Sequence, residues 1–364
     1  MTTRRDFLRT AGIGAGLTAI TGVSALNAAC NPINEKAGVA LVGLGNYASG
    51  QLGPALKETN LCRLAGVVTG DREKGLRWSE EFGFDASHIY SYETFDQIAE
   101  DDSIDLIYVV LPNAMHAEYV IRAAQAGKHV MTEKPMAVSV EECDRMIEAC
   151  REAGVTLSVG YRCHFEPHNQ EMMKVAAEQR LGALKLIDTG FGFRAFGYDN
   201  WRFHHDLAGG GALMDVGIYC IQAACYLTNE LPIKVSAQEV KTYPDRFVDV
   251  DETILFQLEF PSGIICNGST SYAVNTHHLD VYCEQGAFGL SPAFGYDGLQ
   301  GYIGQEKLEL GQIREQALHM DHVIRCIRGE EELKTPGEMG RRDVKIIEAI
   351  YQAVESASTV ALTW

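Results

Sequence analysis

Gly38-Val39-Ala40-Leu41-Val42-Gly43-Leu44-Gly45-Asn46-Tyr47-Ala48 is the stretch whose reading decides the fold. A short apolar run passes straight into a glycine turn, and the chain beyond it places Leu52, Ala55 and Leu56 on one side of a helix. Strand, tight turn of the G-x-G-x-x-A type and helix start follow one another in the order that a dinucleotide-binding unit requires. Such a turn aims backbone N–H groups and the positive end of a helix at one spot, which suits a pyrophosphate. A single match of this kind also describes an ordinary structural turn, so the flanking sequence decides between the two.

Working outward, a second apolar run at residues 64–68 ends roughly 20 residues past the glycines, where the next strand of such a fold belongs. A third, residues 104–111, leads into Pro112-Asn113 and a helical pattern of Ala117, Val120, Ile121 and Ala124. His129-Val130-Met131, a helix over 140–153 and a strand over 156–160 continue the alternation. Gly127 and Gly154 stand where helix C-caps are expected. Short apolar strands alternating with amphipathic helices imply a doubly wound parallel sheet. Residues 36–160 are therefore read as a Rossmann dinucleotide-binding domain.

After Gly160 the rhythm changes. Helical segments near 167–180 and 214–228 are interspersed with strands near 184–193, 233–242, 250–260, 263–273 and 278–284, and Pro261-Ser262-Gly263 joins two of these as a hairpin. Two closing helices near 315–328 and 340–356 complete residues 161–364, an α+β domain with a large, mostly antiparallel sheet. The fold class is α/β overall. A length of 364 residues agrees with two domains, hence two cores.

Hydrophobic residues at 46% and charged residues at 22% exclude a disordered or collagenous chain. The net charge of −18, with no basic cluster, excludes a nucleic-acid partner, because phosphate contacts need surplus Lys and Arg. The first 30 residues stand apart. Arg4-Arg5-Asp6-Phe7-Leu8-Arg9 precedes a tract rich in Gly, Ala and Thr that is too weakly apolar for a membrane span. Paired arginines before such a tract read as a twin-arginine export signal, with the mature chain in the periplasm. Ala28-Ala29-Cys30 fits either a loose lipoprotein box, lipidated at Cys30, or the tail of a simple cleavage site. The ten cysteines show neither Cys-x-x-Cys nor zinc spacing and read as free thiols, Cys220 and Cys225 within one apolar stretch.

Three groups of residues can carry chemistry. At the end of the second strand, Thr69 and Gly70 are small where an NAD-preferring domain usually places a carboxylate, and Arg72 and Lys74 follow at once. That favours NADP, while Asp71, one or two positions late, leaves NAD open. Glu133-Lys134-Pro135 follows a buried strand at the carboxyl edge of the sheet, where ligands of open α/β folds sit. Finally, Gly209-Gly210-Gly211 leads into Asp215 and Tyr219, four apart and so on one helical face. His319, Asp321 and His322 read as a solvated helix face, and His204-His205 and His277-His278 as loop and strand polar residues. No metal is assigned.

These residues, taken with Leu111-Pro112-Asn113-Ala114-Met115-His116, Gly160-Tyr161-Arg162-Cys163-His164 and Trp201-Arg202, resemble the Gfo/Idh/MocA oxidoreductases, and within them the glucose-fructose oxidoreductase branch. The resemblance runs over nearly the whole mature chain. It implies a catalytic lysine at Lys134, a supporting carboxylate at Asp215 and an acid/base tyrosine at Tyr219, where many relatives have His. For the cofactor it implies contacts from Gly43, Gly45, Asn46 and Tyr47, from Thr69, Gly70, Arg72 and Lys74, and from Leu111, Pro112, Asn113 and His116. Glu133, Lys134, Arg162, Trp201 and Arg202 complete that set. Lys134, Tyr161, Arg162, Asp215 and Tyr219 would meet a small carbohydrate, whose hydride passes to the nicotinamide as Tyr219 takes the hydroxyl proton. Assembly as a dimer or tetramer through the open sheet face is also implied. The branch carries a long arm before its first strand. Here only Cys30 to Ala37 separate the signal from that strand, which leaves a sugar or polyol dehydrogenase as the safer expectation. A glycosidase using bound NAD and a non-catalytic sugar or dinucleotide sensor are alternatives on the same fold.

Overall fold

The computed structural model describes residues 36–195 and 200–364. The expectations for the twin-arginine signal and for Cys30 lie outside the described residues.

Six parallel strands form the first sheet: β1 (Ala37–Val42), β2 (Cys62–Val68), β3 (Ile89–Tyr90), β4 (Leu106–Val109), β5 (His129–Thr132) and β6 (Leu157–Val159). Their order, 3-2-1-4-5-6, reverses between β1 and β4, so the crevice for a dinucleotide opens at the carboxyl ends of those two strands. Helices α1 (Gly53–Glu58), α2 (Arg72–Phe82), α3 (His116–Gln125) and α4 (Val140–Ala153) connect them. β1 is buried along its whole length, as a strand covered on both faces must be.

The second sheet has nine strands: β7 (Leu184–Gly192), β8 (Lys234–Val240), β9 (Thr253–Glu259), β10 (Ile265–Ser271), β11 (Thr276–Cys283), β12 (Gly286–Leu290), β13 (Gly301–Ile303), β14 (Glu306–Leu308) and β15 (Val360–Ala361). They lie in the order 14-13-12-11-7-10-9-8-15, antiparallel except where β7 runs beside β10. Helices α5 (Pro167–Ala177), α6 (His205–Ala208), α7 (Ile218–Thr228), α8 (Glu315–Ile327) and α9 (Gly337–Ser356) complete the described chain.

Two expectations change. The largest core is continuous, running from Val42, Ile107 and Val130 of the first sheet through Ile218 and Ile221 of α7 to Phe256, Cys266 and Val281 of the second. The cause lies in α7, which is apolar nearly all round and so buries every side. A second core covers the other face of the first sheet, and α8 contributes Ala317, Met320, Val323 and Ile324 to it, so α8 packs with the nucleotide-binding layer and not with the second sheet. Correspondingly, His319, Asp321 and His322 do not form a solvated face but are each 3% exposed or less. The Asp321 carboxylate accepts from the Asn60 and Leu61 backbone N–H groups at 3.0 and 2.9 Å, fastening α8 to the loop between α1 and β2. The described cysteines are unpaired, Cys220 and Cys225 among the buried ones.

Candidate active site

The glycine turn holds its shape through sterics. Gly43 has φ +96°, a region closed to most side chains, and a Cβ there would stand 2.5 Å from the Val110 carbonyl oxygen. At Gly45 a Cβ would meet nothing within 4 Å. One glycine is needed to pack the turn against β4, and the other leaves its backbone open to an approaching ligand. Gly45 and Asn46 are exposed, with Tyr47 half-buried beside them. This donor-lined, uncovered turn at the sheet's switch point fits a dinucleotide pyrophosphate.

At the end of β2 the Asp71 carboxylate is spent on capping α2, accepting from the Lys74 backbone N–H at 3.0 Å, while the Thr69 hydroxyl accepts from the Asp71 N–H. Lys74 reaches back to donate to the Leu44 carbonyl at 3.2 Å, and Arg72 is exposed on the same turn. Gly70, between Thr69 and Asp71, is exposed as well. A ribose 2′-phosphate would meet cations here, not a free carboxylate, so the turn favours NADP.

The three residues expected to do chemistry converge. Lys134 Nζ donates to the Asp215 carbonyl at 2.6 Å, lies 3.4 Å from Asp215 Oδ1 and sits 4.9 Å above the centre of the Tyr219 ring. Asp215 also accepts from Tyr272 at 3.0 Å and pairs with Arg202 Nε at 3.2 Å. Burial works against its ionised form, but Arg202 and Lys134 overcome this and hold the carboxyl down at about 2. Trp201 stacks beneath the Arg202 guanidinium at 4.4 Å.

Asp215 stands in a widened helical turn, Leu213–Gly217, that leads directly into α7 and Tyr219. Its start is capped by Asp251, which accepts from the Gly211 N–H at 2.6 Å and the Leu213 N–H at 2.8 Å, and Tyr351 donates to the same carboxylate. Gly211 is obligatory because a Cβ there would overlap the Asp251 backbone.

The cation at the Tyr219 hydroxyl is not Lys134. Arg162 Nε donates to that oxygen at 3.3 Å, and the same guanidinium lies 4.2 Å from the ring of Tyr296, which in turn faces Tyr47 of the glycine turn at 6.2 Å. This chain of contacts joins the acid/base cluster to the dinucleotide turn. Burial raises the Tyr219 phenol above its ordinary value, and Arg162 is the first charge to oppose that. Glu133, at the edge of the cluster, accepts from Tyr108 at 2.6 Å, and burial pushes its carboxyl upward.

Several expected contacts are structural supports. His116 is fully buried with its ring spanning the Pro135 and Leu111 carbonyls at 2.9 Å each, and Asn113 donates to the Ala208 carbonyl at 2.8 Å. They brace the loops that carry Leu111, Pro112 and Lys134. The Tyr161 ring belongs to the large core and its hydroxyl lies beside the buried Asp343 carboxyl, while the residue also lines a small pocket with Lys134, Arg162 and Tyr219. Asp251, Tyr272, Tyr296 and Glu315 went unnoticed in the sequence, since each meets the cluster from a distant segment. His278 pairs with Asp188 at 3.2 Å, and with Asp280 the three offer ligand atoms within 4.8 Å of one another, a spacing that could hold a metal ion and that two separate strands conceal.

Dinucleotide turn and half-buried Lys–Asp–Tyr cluster together define an oxidoreductase that uses NAD(P). The chain belongs to the Gfo/Idh/MocA family: residues 37–161 match the model of the oxidoreductase family with an NAD-binding Rossmann fold, and residues 169–289 match the Gfo/Idh/MocA C-terminal domain. It is 30% identical over 335 residues to a D-xylose 1-dehydrogenase [NADP(+)] of Haloarcula marismortui, covering 89% of this chain and 92% of that protein. The crystal structure of an aldose-aldose oxidoreductase from Caulobacter crescentus, complexed with glycerol, is 40% identical, with TM-score 0.87 over 90% of this chain and 100% of that one. Levoglucosan dehydrogenase, at 21% identity and TM-score 0.79, shares the fold over 91% of this chain and 100% of that one.

Proposed function

We propose that the chain is an exported, NADP-favouring sugar oxidoreductase acting on an aldose, polyol or related carbohydrate. The observation that carries this is the meeting of half-buried Lys134, Asp215 and Tyr219 with buried Arg162 in one cluster that touches the dinucleotide turn through Tyr296 and Tyr47. The similarity to a xylose dehydrogenase and an aldose-aldose oxidoreductase supports a sugar as substrate. The nicotinamide supplies a hydride acceptor when bound.

The protein's part is positioning and proton handling. As the phenolate, Tyr219 takes the proton of the sugar hydroxyl at its oxygen and becomes the phenol, Lys134 contributes positive charge held in place by Asp215, and Arg202 fixes the far side of that carboxylate. Gly43, Gly45 and Asn46 seat the pyrophosphate, and Thr69, Arg72 and Lys74 receive the ribose phosphate. Export by the twin-arginine route, a periplasmic location with or without a lipid at Cys30, and assembly as a dimer or tetramer complete the proposal.

Tyr219→Phe tests it. Turnover with an aldose falls by about 10² or more, the usual worth of a positioned acid/base group, while NADP affinity stays within a few-fold. Unchanged turnover would remove Tyr219 from the chemistry.

A further inference from the structure

We infer that Glu315 is a positioning residue for the acid/base tyrosine: it holds the Arg162 guanidinium against the Tyr219 hydroxyl, and this pair, more than Lys134, sets how tightly the phenol keeps its proton. The inference rests on the reading of Tyr219 as the proton acceptor.

Arg162 and Glu315 form an ion pair at 2.9 Å with both side chains 3% exposed. Two charges taken that far from water recover little net stability, and an apolar pair would serve packing as well. What the ion pair adds is direction. Arg162 spends one terminal nitrogen on Glu315 and the Gly295 carbonyl at 3.1 Å, and the other on the Phe294 carbonyl. With the fork fixed in this way, the N–H on Nε faces the Tyr219 oxygen. Such a donor binds a phenolate more strongly than a phenol.

Lys134 is differently committed. Its Nζ is held by Asp215 and overlies the face of the Tyr219 ring, away from any hydrogen bond to the hydroxyl. The other charged or titratable groups around Tyr219 are Asp215 on its own helical segment, Glu133 beside Lys134, Tyr108 of β4, Tyr47 of the glycine turn, Cys163 next to Arg162, Tyr296 in the loop after β12, and His277 of β11, which stacks on the Phe191 ring that contacts Tyr219. Among the described residues Arg162 alone is a cation hydrogen-bonded to the phenol oxygen.

Glu315 is suited to hold it. It opens α8, whose Asp321 is anchored on backbone N–H groups of the nucleotide-binding layer and whose His319 meets Ser158 and Thr335 at 3.2 and 3.0 Å. The guanidinium is thereby referenced to the Rossmann half through Glu315 as well as to the loop of Phe294, Gly295 and Tyr296.

The test follows the limb of the kcat/KM profile that requires deprotonated Tyr219, alongside ultraviolet titration of tyrosinate taken as the difference from Tyr219→Phe. Glu315→Ala moves both upward by about one pH unit or more, a tenfold change in proton affinity. Glu315→Gln, which keeps an oxygen acceptor in the same place, leaves both at or below the wild-type position. Should Glu315→Ala fail to fold, the double variant Arg162→Met/Glu315→Met removes the pair without stranding a buried charge, and the same upward shift is expected. Wild-type titration in Glu315→Ala or in the double variant, or an upward shift in Glu315→Gln, overturns the inference. If Tyr219→Phe keeps its turnover, the parent reading fails instead, and the tyrosinate titration still decides whether Glu315 acts on the phenol.

Discussion

The glycine turn and the Lys134–Tyr219 cluster serve one cleft but are built in opposite ways. The turn is main chain, open to solvent at Gly45 and Asn46, and the residues that shape it lie between Gly43 and Lys74 apart from the Val110 carbonyl. The cluster is side chain, largely withdrawn from solvent, and assembled across separations of 81 residues for Lys134 with Asp215 and 153 for Arg162 with Glu315. Backbone recognition needs only a local conformation. Charge placement in a dry site needs partners that a local segment cannot supply.

That contrast breaks first at the turn itself. Gly43→Ala forces a Cβ against the Val110 carbonyl at a backbone angle that alanine resists, so it costs about 1–3 kcal/mol of stability and lowers Tm. Gly45→Ala leaves Tm where it was, since nothing crowds that position, and instead weakens the dinucleotide Kd by narrowing the approach. Calorimetry of both variants with and without NADP checks the pair. Equal effects on Tm would mean that the two glycines are not divided between fold and ligand.

The same division governs what could be read in advance. β1, the turn and the doubly wound parallel sheet were legible because hydrophobic periodicity and glycine spacing are short-range signals, whereas the two-residue edge strand β3 was too short to leave one. Lys134, Asp215 and Tyr219 stood out because polar residues interrupted apolar runs, and their resemblance to a family supplied the roles. Nothing near Asp215 announces Tyr272, 57 residues on, and nothing near Gly211 announces Asp251, 40 residues on. Tyr161 and Arg162 are neighbours in a tight turn, yet their polar ends part: one hydroxyl lies beside Asp343 and the other side chain reaches Tyr219. The polar residues of α8 were misread for a related reason. Asp321 finds the Asn60 and Leu61 backbone 261 and 260 residues earlier, and His319 finds Ser158 161 residues earlier.

A second break concerns the price of burial in the cluster. Asp215 is held at about 2 against an ordinary 3.8, because its two cations outweigh the burial that opposes ionisation. A folded-state value below the unfolded one contributes stability that is present above pH 3.8 and is lost as pH falls toward 2. With only 14% of the side chain exposed, the contribution is about 2 kcal/mol at neutral pH. Asp215→Asn should therefore unfold about 2 kcal/mol more easily at pH 7, and the difference from wild type should close as pH is lowered through that window. Denaturant titrations across pH check this; a gap that stays constant would assign the loss to packing.

The smallest effect returns to the open side and sharpens the comparison most. Lys74 carries two duties at once: its Nζ donates to the Leu44 carbonyl within the glycine turn, and its charge stands where a ribose 2′-phosphate would lie while Asp71 is occupied as a cap. A partly exposed cation facing phosphate is worth about 1 kcal/mol, so Lys74→Ala should weaken NADP by about fivefold and leave NAD nearly unchanged. Because the site is wet, that difference should shrink as salt is raised, unlike any effect measured at Lys134 or Arg162. Fluorescence titration with both dinucleotides at two ionic strengths separates the duties. If NAD and NADP weaken together and salt has no influence, Lys74 holds the turn through Leu44, and the choice of cofactor falls to Arg72 and Thr69.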